Sequence, residues 1–135
     1  MTLKNSVSET IDKEISRDRL AHTVCCAFEG GTNYWCEIVG YSEGEEIILI
    51  NREDGIRHDL AFPKVLAALY LGEVTLLDKV GDTRYSLTFS KLRNALHLMA
   101  NKHLHDFEDI VSDDYDASTG DTLVQLALFG DVIYG

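Results

Sequence analysis

The 135-residue chain carries 23 acidic against 12 basic residues, a formal net charge of −11, with 45% hydrophobic and 26% charged residues. That length fits one domain able to bury roughly two-thirds of its unfolded surface, so a core rather than a disulfide framework is expected to hold it. The few Lys and Arg are scattered among carboxylates, which disfavours direct binding to a nucleic-acid backbone and favours a basic partner steered in by the field.

In chain order, residues 1–7 read as a loose polar leader to a single domain spanning 1–135. A helical pattern runs from Ser8 to Phe28, with Ser16 as an N-cap and Leu20, Val24, Ala27 and Phe28 at helical spacing. Gly30 and Gly31 are expected to stop it, glycine taking the left-handed position after the last turn. Asn33–Tyr41 and Glu46–Asn51 then read as strands joined by a turn at Ser42–Glu45. Asp54-Gly55 signals a second turn before a short segment, Ile56–Leu60, and Pro63 opens a helix to Leu71, ended by Gly72.

Val74–Val80 and Arg84–Thr88 form a further hairpin around Gly81-Asp82. Thr88 or Ser90 caps a helix carrying Leu92, Leu96 and Met99. His103–Ser112 reads as a separate helix with Leu104, Phe107 and Val111 inward. An acidic loop precedes the helix Ser118–Phe129, apolar nearly all round and therefore central, with Gly130 closing it. The sum is an α+β fold: a small antiparallel sheet of about four to five strands packed with about four helices.

Four constellations bear on chemistry. Glu29-Gly30-Gly31-Thr32-Asn33-Tyr34-Trp35-Cys36 runs from a helix end through paired glycines into aromatics. Such a turn allows close approach of a ligand, and Asn33, Tyr34 and Trp35 are the candidate ligand-binding residues; the competing reading is a cap with aromatics under the sheet. Strand alternation puts Tyr34 and Trp35 on opposite faces. The glycines follow a helix rather than open one and no Lys-Ser/Thr comes after, so this is not a phosphate loop.

The second constellation is the acidic segment Asp106, Glu108, Asp109, Asp113, Asp114 and Asp116, the candidate partner-binding face. A hard cation at Asp113, Asp114 and Asp116 lacks the ligand alternation, central glycine and closing glutamate of a calcium loop, and Asp116 or Ser118 serves equally as an N-cap. Third, His97, His103 and His105 with Cys25, Cys26 and Cys36 offer no convergent zinc set, so neither metal nor cofactor is expected. Fourth, Asp121 and Gln125 share one face of the most apolar helix, and the buried amide is expected to hold a loop backbone near Gly30-Gly31.

No catalytic residue is assigned, since no nucleophile elbow, zinc-protease helix or Cys-His signature occurs. The odd cysteine count, without a secretory leader pattern or an apolar run of membrane-spanning length, suits a cytoplasmic protein with no membrane partner. The apolar ending Val132-Ile133-Tyr134 hints at homo-oligomer formation or at docking on the protein's own sheet.

Two segments are familiar as motifs. Glu29-Gly30-Gly31-Thr32-Asn33-Tyr34-Trp35 and the closing Asp121…Gln125…Ala127…Phe129-Gly130…Tyr134-Gly135 together resemble a family of small proteins encoded by bacteriophages and mobile elements. The family brings no catalytic residues to carry over. What the resemblance implies is a setting, a phage-type gene product working inside a bacterial host cell. There, an acidic protein is expected to bind a host nucleic-acid-handling protein, as a DNA mimic against a CRISPR or restriction nuclease. The alternative is a binding protein that sequesters a nucleotide signal with the Gly30–Trp35 segment.

Overall fold

The computed structural model describes residue 11 and residues 15–43, 46–49, 68–69 and 72–135. The expected turn at Asp54-Gly55, the segment Ile56–Leu60 and most of the Pro63 helix lie outside the described residues, as do the leader and the tip of the first hairpin.

Helix α1 spans Arg17–Cys26, and Ser16 caps it by accepting from Arg19 N at 3.0 Å. The expected left-handed stop at Gly30-Gly31 does not form. Neither glycine has positive φ; the chain instead widens into a π-turn over Ala27–Gly31, closed by Thr32 N donating to Ala27 O at 2.9 Å. The reason is steric. At Gly31 an added Cβ would lie 2.1 Å from the backbone oxygen of Ala117, so glycine is required for helix-to-helix approach rather than for a left-handed turn.

Residues 33–35 form a turn, and β1 begins only at Cys36, running to Glu43. It pairs antiparallel with β2 (Glu46–Leu49) and with β3 (Val74–Asp78), which pairs in turn with β4 (Thr83–Leu87). The sheet order is β2-β1-β3-β4. A register shift falls between Ile38 and Gly40 on the β1–β3 ladder, and β1, an inner strand, is buried on both faces from Ile38 to Ser42.

Thr88 caps helix α2 (Phe89–Lys102) through Lys91 N at 3.2 Å. Helix α3 (Leu104–Val111) buries Phe107 and Ile110, whereas Leu104 is 55% exposed and Val111 only half-buried, so the helix is rotated from the expected inward set. Helix α4 (Ala117–Phe129) is capped by Asp116, which exchanges hydrogen bonds with Thr119 in a capping box, and ends at Gly130 with φ 74°. The first helical residue is thus Ala117, one before the expected start.

Helix α4 is the central element. It packs on α1, the π-turn and α2, and Leu123, Val124 and Leu126 enter one core with Leu20, Val24, Trp35, Leu76, Leu92 and Leu96. Gly120 makes this possible: a Cβ there would meet Thr23 O at 2.6 Å and Ala27 Cβ at 2.8 Å. The α+β class follows from these elements, and among the described residues no helix is long and apolar enough to cross a membrane.

Candidate functional site

Both sequence motifs meet at one corner, on a single carboxylate. Asp121 on α4 accepts from Trp35 Nε1 at 2.8 Å and Gln125 Nε2 at 3.1 Å on Oδ1, and from Tyr34 OH at 2.6 Å on Oδ2. Tyr34 and Trp35, though adjacent in a turn, therefore converge on one acceptor; Trp35 is fully buried while Tyr34 is 53% exposed.

Gln125, expected to hold the loop near Gly30-Gly31, instead holds the closing segment. Its Oε1 accepts from Ile133 N and Tyr134 N, both at 2.9 Å, and its Nε2 donates to Tyr134 O at 3.2 Å. The amide thus reads the tail as a neighbouring strand would, and its own burial is fully compensated. Tyr134 stacks on Trp35 with ring centroids 5.2 Å apart, Phe129 tilts against Trp35 at 5.5 Å, and Tyr85 meets Phe129 edge-on at 5.1 Å. The apolar ending therefore docks on its own chain through Tyr134, leaving Ile133 55% exposed.

Tyr134 OH donates to Asp78 Oδ2 at 2.6 Å, while Val80 N and Gly81 N donate to Oδ1 at 3.0 Å. Burial pushes the Asp78 carboxyl up, but these three donors outweigh it and hold the group below its ordinary range. The sequence signal for Asp78 is a carboxylate ending an apolar strand just before Gly81-Asp82, the pattern of a side chain that caps its own turn.

The pH dependence follows from the signs. Asp78 and Asp116 both have depressed folded-state values, Asp116 through its hydrogen bonds with Thr119. Their stabilisation is full above the unfolded value of 3.8 and is lost as pH falls through the lower folded values. Tyr134, through Asp78 and then burial, and Tyr34, through burial and then Asp121, are both pushed up from 10.0 to about 12. Their contribution is full below 10.0 and disappears as pH rises toward about 12. Urea titrations across pH are expected to show both limbs, and Tyr134→Phe to flatten both. An acid limb as steep in that variant as in the parent would show that the Tyr134–Asp78 bond does not drive it.

An open cleft of about 480 Å³ lies beside this corner, lined by Gly30, Tyr34, Ser118, Asp121, Thr122 and Gly135 among others. Of the candidate ligand residues, Tyr34 lines it, Asn33 is exposed, and Trp35 touches it only through Asp121. Among the described residues none of those lining it is Lys or Arg. The neighbouring N-terminus of α4, otherwise an anion site, is already taken by the Asp116 carboxylate.

The acidic residues occupy a different stretch, the end of α3 and its connection to α4. Glu108, Asp113, Asp114 and Asp116 are exposed, and Asp106 and Asp109 half-buried. Asp113 has φ 62° and donates its N–H to Ile110 O, while Asp114 N donates to Asp109 O at 2.7 Å, the pairing that closes a helix with a left-handed residue. Arg19 on α1 braces this end: its Nη1 donates to Val111 O at 2.8 Å and Ile110 O at 3.4 Å, and its Nε lies 3.6 Å from Asp113 Oδ1. His105 Nε2 is 3.6 Å from Asp109 Oδ2.

Among the described residues no three of His, Cys, Asp or Glu converge as metal ligands. The thiols are poor nucleophiles: burial, followed by nearby carboxylates, pushes Cys25 and Cys36 up to about 12 and raises Cys26. The architecture defines an α+β protein whose central helix packs on a π-turn and whose closing segment docks on the Trp35 ring. No family model matches the chain, and neither do curated proteins or solved structures.

Proposed function

We propose that this chain is an acidic binding protein whose face from Asp106 to Asp116 engages a basic site on a bacterial host's nucleic-acid-handling protein. The target class that suits the phage-type motifs is a defence nuclease, CRISPR or restriction, met by carboxylates standing where phosphates would. One observation carries the reading. Asp109, Asp113 and Asp114 lie at the C-terminal end of α3, where the helix dipole disfavours negative charge, and no basic residue occupies its last turn. The Arg19 guanidinium from α1 offsets that dipole at the Ile110 and Val111 carbonyls and holds Asp113 in place, so the carboxylates stand as a braced, exposed group suited to recognition.

The test uses asparagine rather than alanine. Asparagine still caps α4 at position 116 and tolerates the left-handed backbone at 113, so Asp113→Asn, Asp114→Asn and Asp116→Asn together keep the fold. The parent is expected to retain a discrete nucleic-acid-handling protein from nuclease-treated host lysate and to release it at moderate salt. With that isolated protein, the triple variant is expected to bind at least about tenfold more weakly, the size of a few lost charge contacts. Equal affinity of parent and variant would end the acidic-face reading.

The cleft beside Tyr34 lends support to the second reading, a small-ligand site in the Gly30–Trp35 segment. Its chemistry is unsuited to a nucleotide phosphate, because no cation lines it among the described residues and the adjacent helix terminus already holds Asp116. Tyr34, not the enclosed Trp35, is the residue whose change would report on it.

A further inference from the structure

We infer that the cleft beside Tyr34 receives a guanidinium group, an arginine side chain presented by the basic partner; the inference rests on the binding reading above and names the chemistry of a second contact. Asp121 has roughly four lone-pair positions, as any carboxylate does. Two donors occupy Oδ1, Trp35 Nε1 and Gln125 Nε2, but only one, Tyr34 OH, occupies Oδ2. One acceptor position therefore remains on a carboxylate that lines the cleft, fixed in direction by three hydrogen bonds.

Tyr34 supplies the flat wall. The residue is 53% exposed, yet its hydroxyl is tied to Asp121, so the side chain stands without the entropy cost of a free one. A guanidinium laid on this face gains a cation–π contact while its N–H edge donates to Asp121. The surroundings agree in sign. Exposed Glu29 precedes Gly30 at the rim, Asp116 precedes Ala117, and among the described residues no lining residue is basic. Gly30 has open space where a side chain would stand, so the entrance on that side is unobstructed. The planar aromatic wall, on which a guanidinium stacks and an ammonium does not, favours guanidinium over ammonium.

The chain's single tryptophan provides the readout, because its indole N–H is bonded to Asp121 itself. A short glycine-rich peptide with one arginine is titrated into the full chain, and the Trp35 indole N–H resonance is followed. A saturable shift is expected, with the citrulline analogue, uncharged but equally shaped, binding about tenfold more weakly. Tyr34→Ala is expected to weaken the arginine peptide by about fivefold while the indole resonance of the free protein stays dispersed. Should that variant unfold, Thr122→Lys serves, since it sets a cation at the cleft while leaving Tyr34 and Asp121 in place, and it is expected to abolish the shift.

No saturable shift, an equal response to citrulline, or an unaffected Thr122→Lys protein would overturn the inference. Failure here is distinguishable from failure of the acidic-face reading. A protein that ignores the arginine peptide but still loses its partner on the triple asparagine change refutes the cleft alone.

Discussion

Trp35→Ala is expected to lower stability by about 3–5 kcal/mol, the usual result of emptying a fully enclosed aromatic site. More is lost than the ring. Tyr134 loses the surface it stacks on at 5.2 Å and Phe129 the ring at 5.5 Å, so the closing segment loses its footing on the core. Asp121 loses one of its three donors. Against a total of roughly 5–15 kcal/mol for a domain, this removes a large share, and the thermal midpoint should fall by roughly 10–15 °C. Trp35→Phe is expected to cost less, about 2–3 kcal/mol: a six-membered ring remains for Tyr134 to stack on, while the pyrrole half and its Nε1 donor are lost. Thermal unfolding by circular dichroism measures both. A Trp35→Ala protein melting within a few degrees of the parent would show that the ring is not a core element, and would reopen a direct ligand role for it.

Gly31→Ala is expected to cost about 3 kcal/mol, at the upper end for an overpacked site, because a Cβ 2.1 Å from Ala117 O meets backbone rather than a yielding side chain. Relief requires the π-turn and α4 to separate, and with them Tyr34 and Asp121. Gly30→Ala is the internal control. Its Cβ meets nothing within 4 Å and its φ is not positive, so alanine there should be neutral or stabilise by about 0.5 kcal/mol, through the unfolded chain. Denaturant midpoints compare the pair directly. Equal effects at both positions would contradict the assignment of close approach to Gly31 alone.

These two changes also mark where reading residues in order stops working. The glycine pair is legible as a break in a helical pattern, and the break is there, but its form is not the left-handed cap that local preference suggests. The deciding contact is with Ala117, 86 positions away, and no local pattern registers it. Gln125 is similar. An amide in an apolar helix requires a partner, and that requirement is readable; that the partner is the backbone of Ile133 and Tyr134 depends on how Gly130 turns the chain back. Leu104 fails for a related reason: in a helix of 8 residues, small rotations exchange inner and outer positions, and packing rather than spacing decides between them.

The candidate site divides the same way. Tyr34, Trp35, Asp121 and Gln125 all stand out in the sequence as aromatics and polar groups among apolar neighbours, yet as two separate features. That they form one corner, with Asp78 and Tyr134 completing it, is a property of the packed chain alone. The acidic segment is the reverse case, since charge is additive and needs no fold to be counted. What folding adds is Arg19, which converts a run of carboxylates into a braced surface.

By itself, then, the sequence determined the α+β class, the Ser16 and Thr88 caps, the hairpin around Gly81-Asp82 and the acidic character of the surface. Each of these rests on short-range preferences or on composition, which a few neighbouring residues suffice to set. Only the tertiary structure decided which side of Gly30-Gly31 faces another helix, which loop Gln125 holds, and that Tyr34 and Trp35 share one carboxylate. The glycine and Asp121 outcomes depend on contacts 86 or 87 positions apart, and the Gln125 outcome on the chain reversal at Gly130 that returns Ile133 and Tyr134 to the helix. Their geometry exists only once burial of the core has fixed α4 against the π-turn.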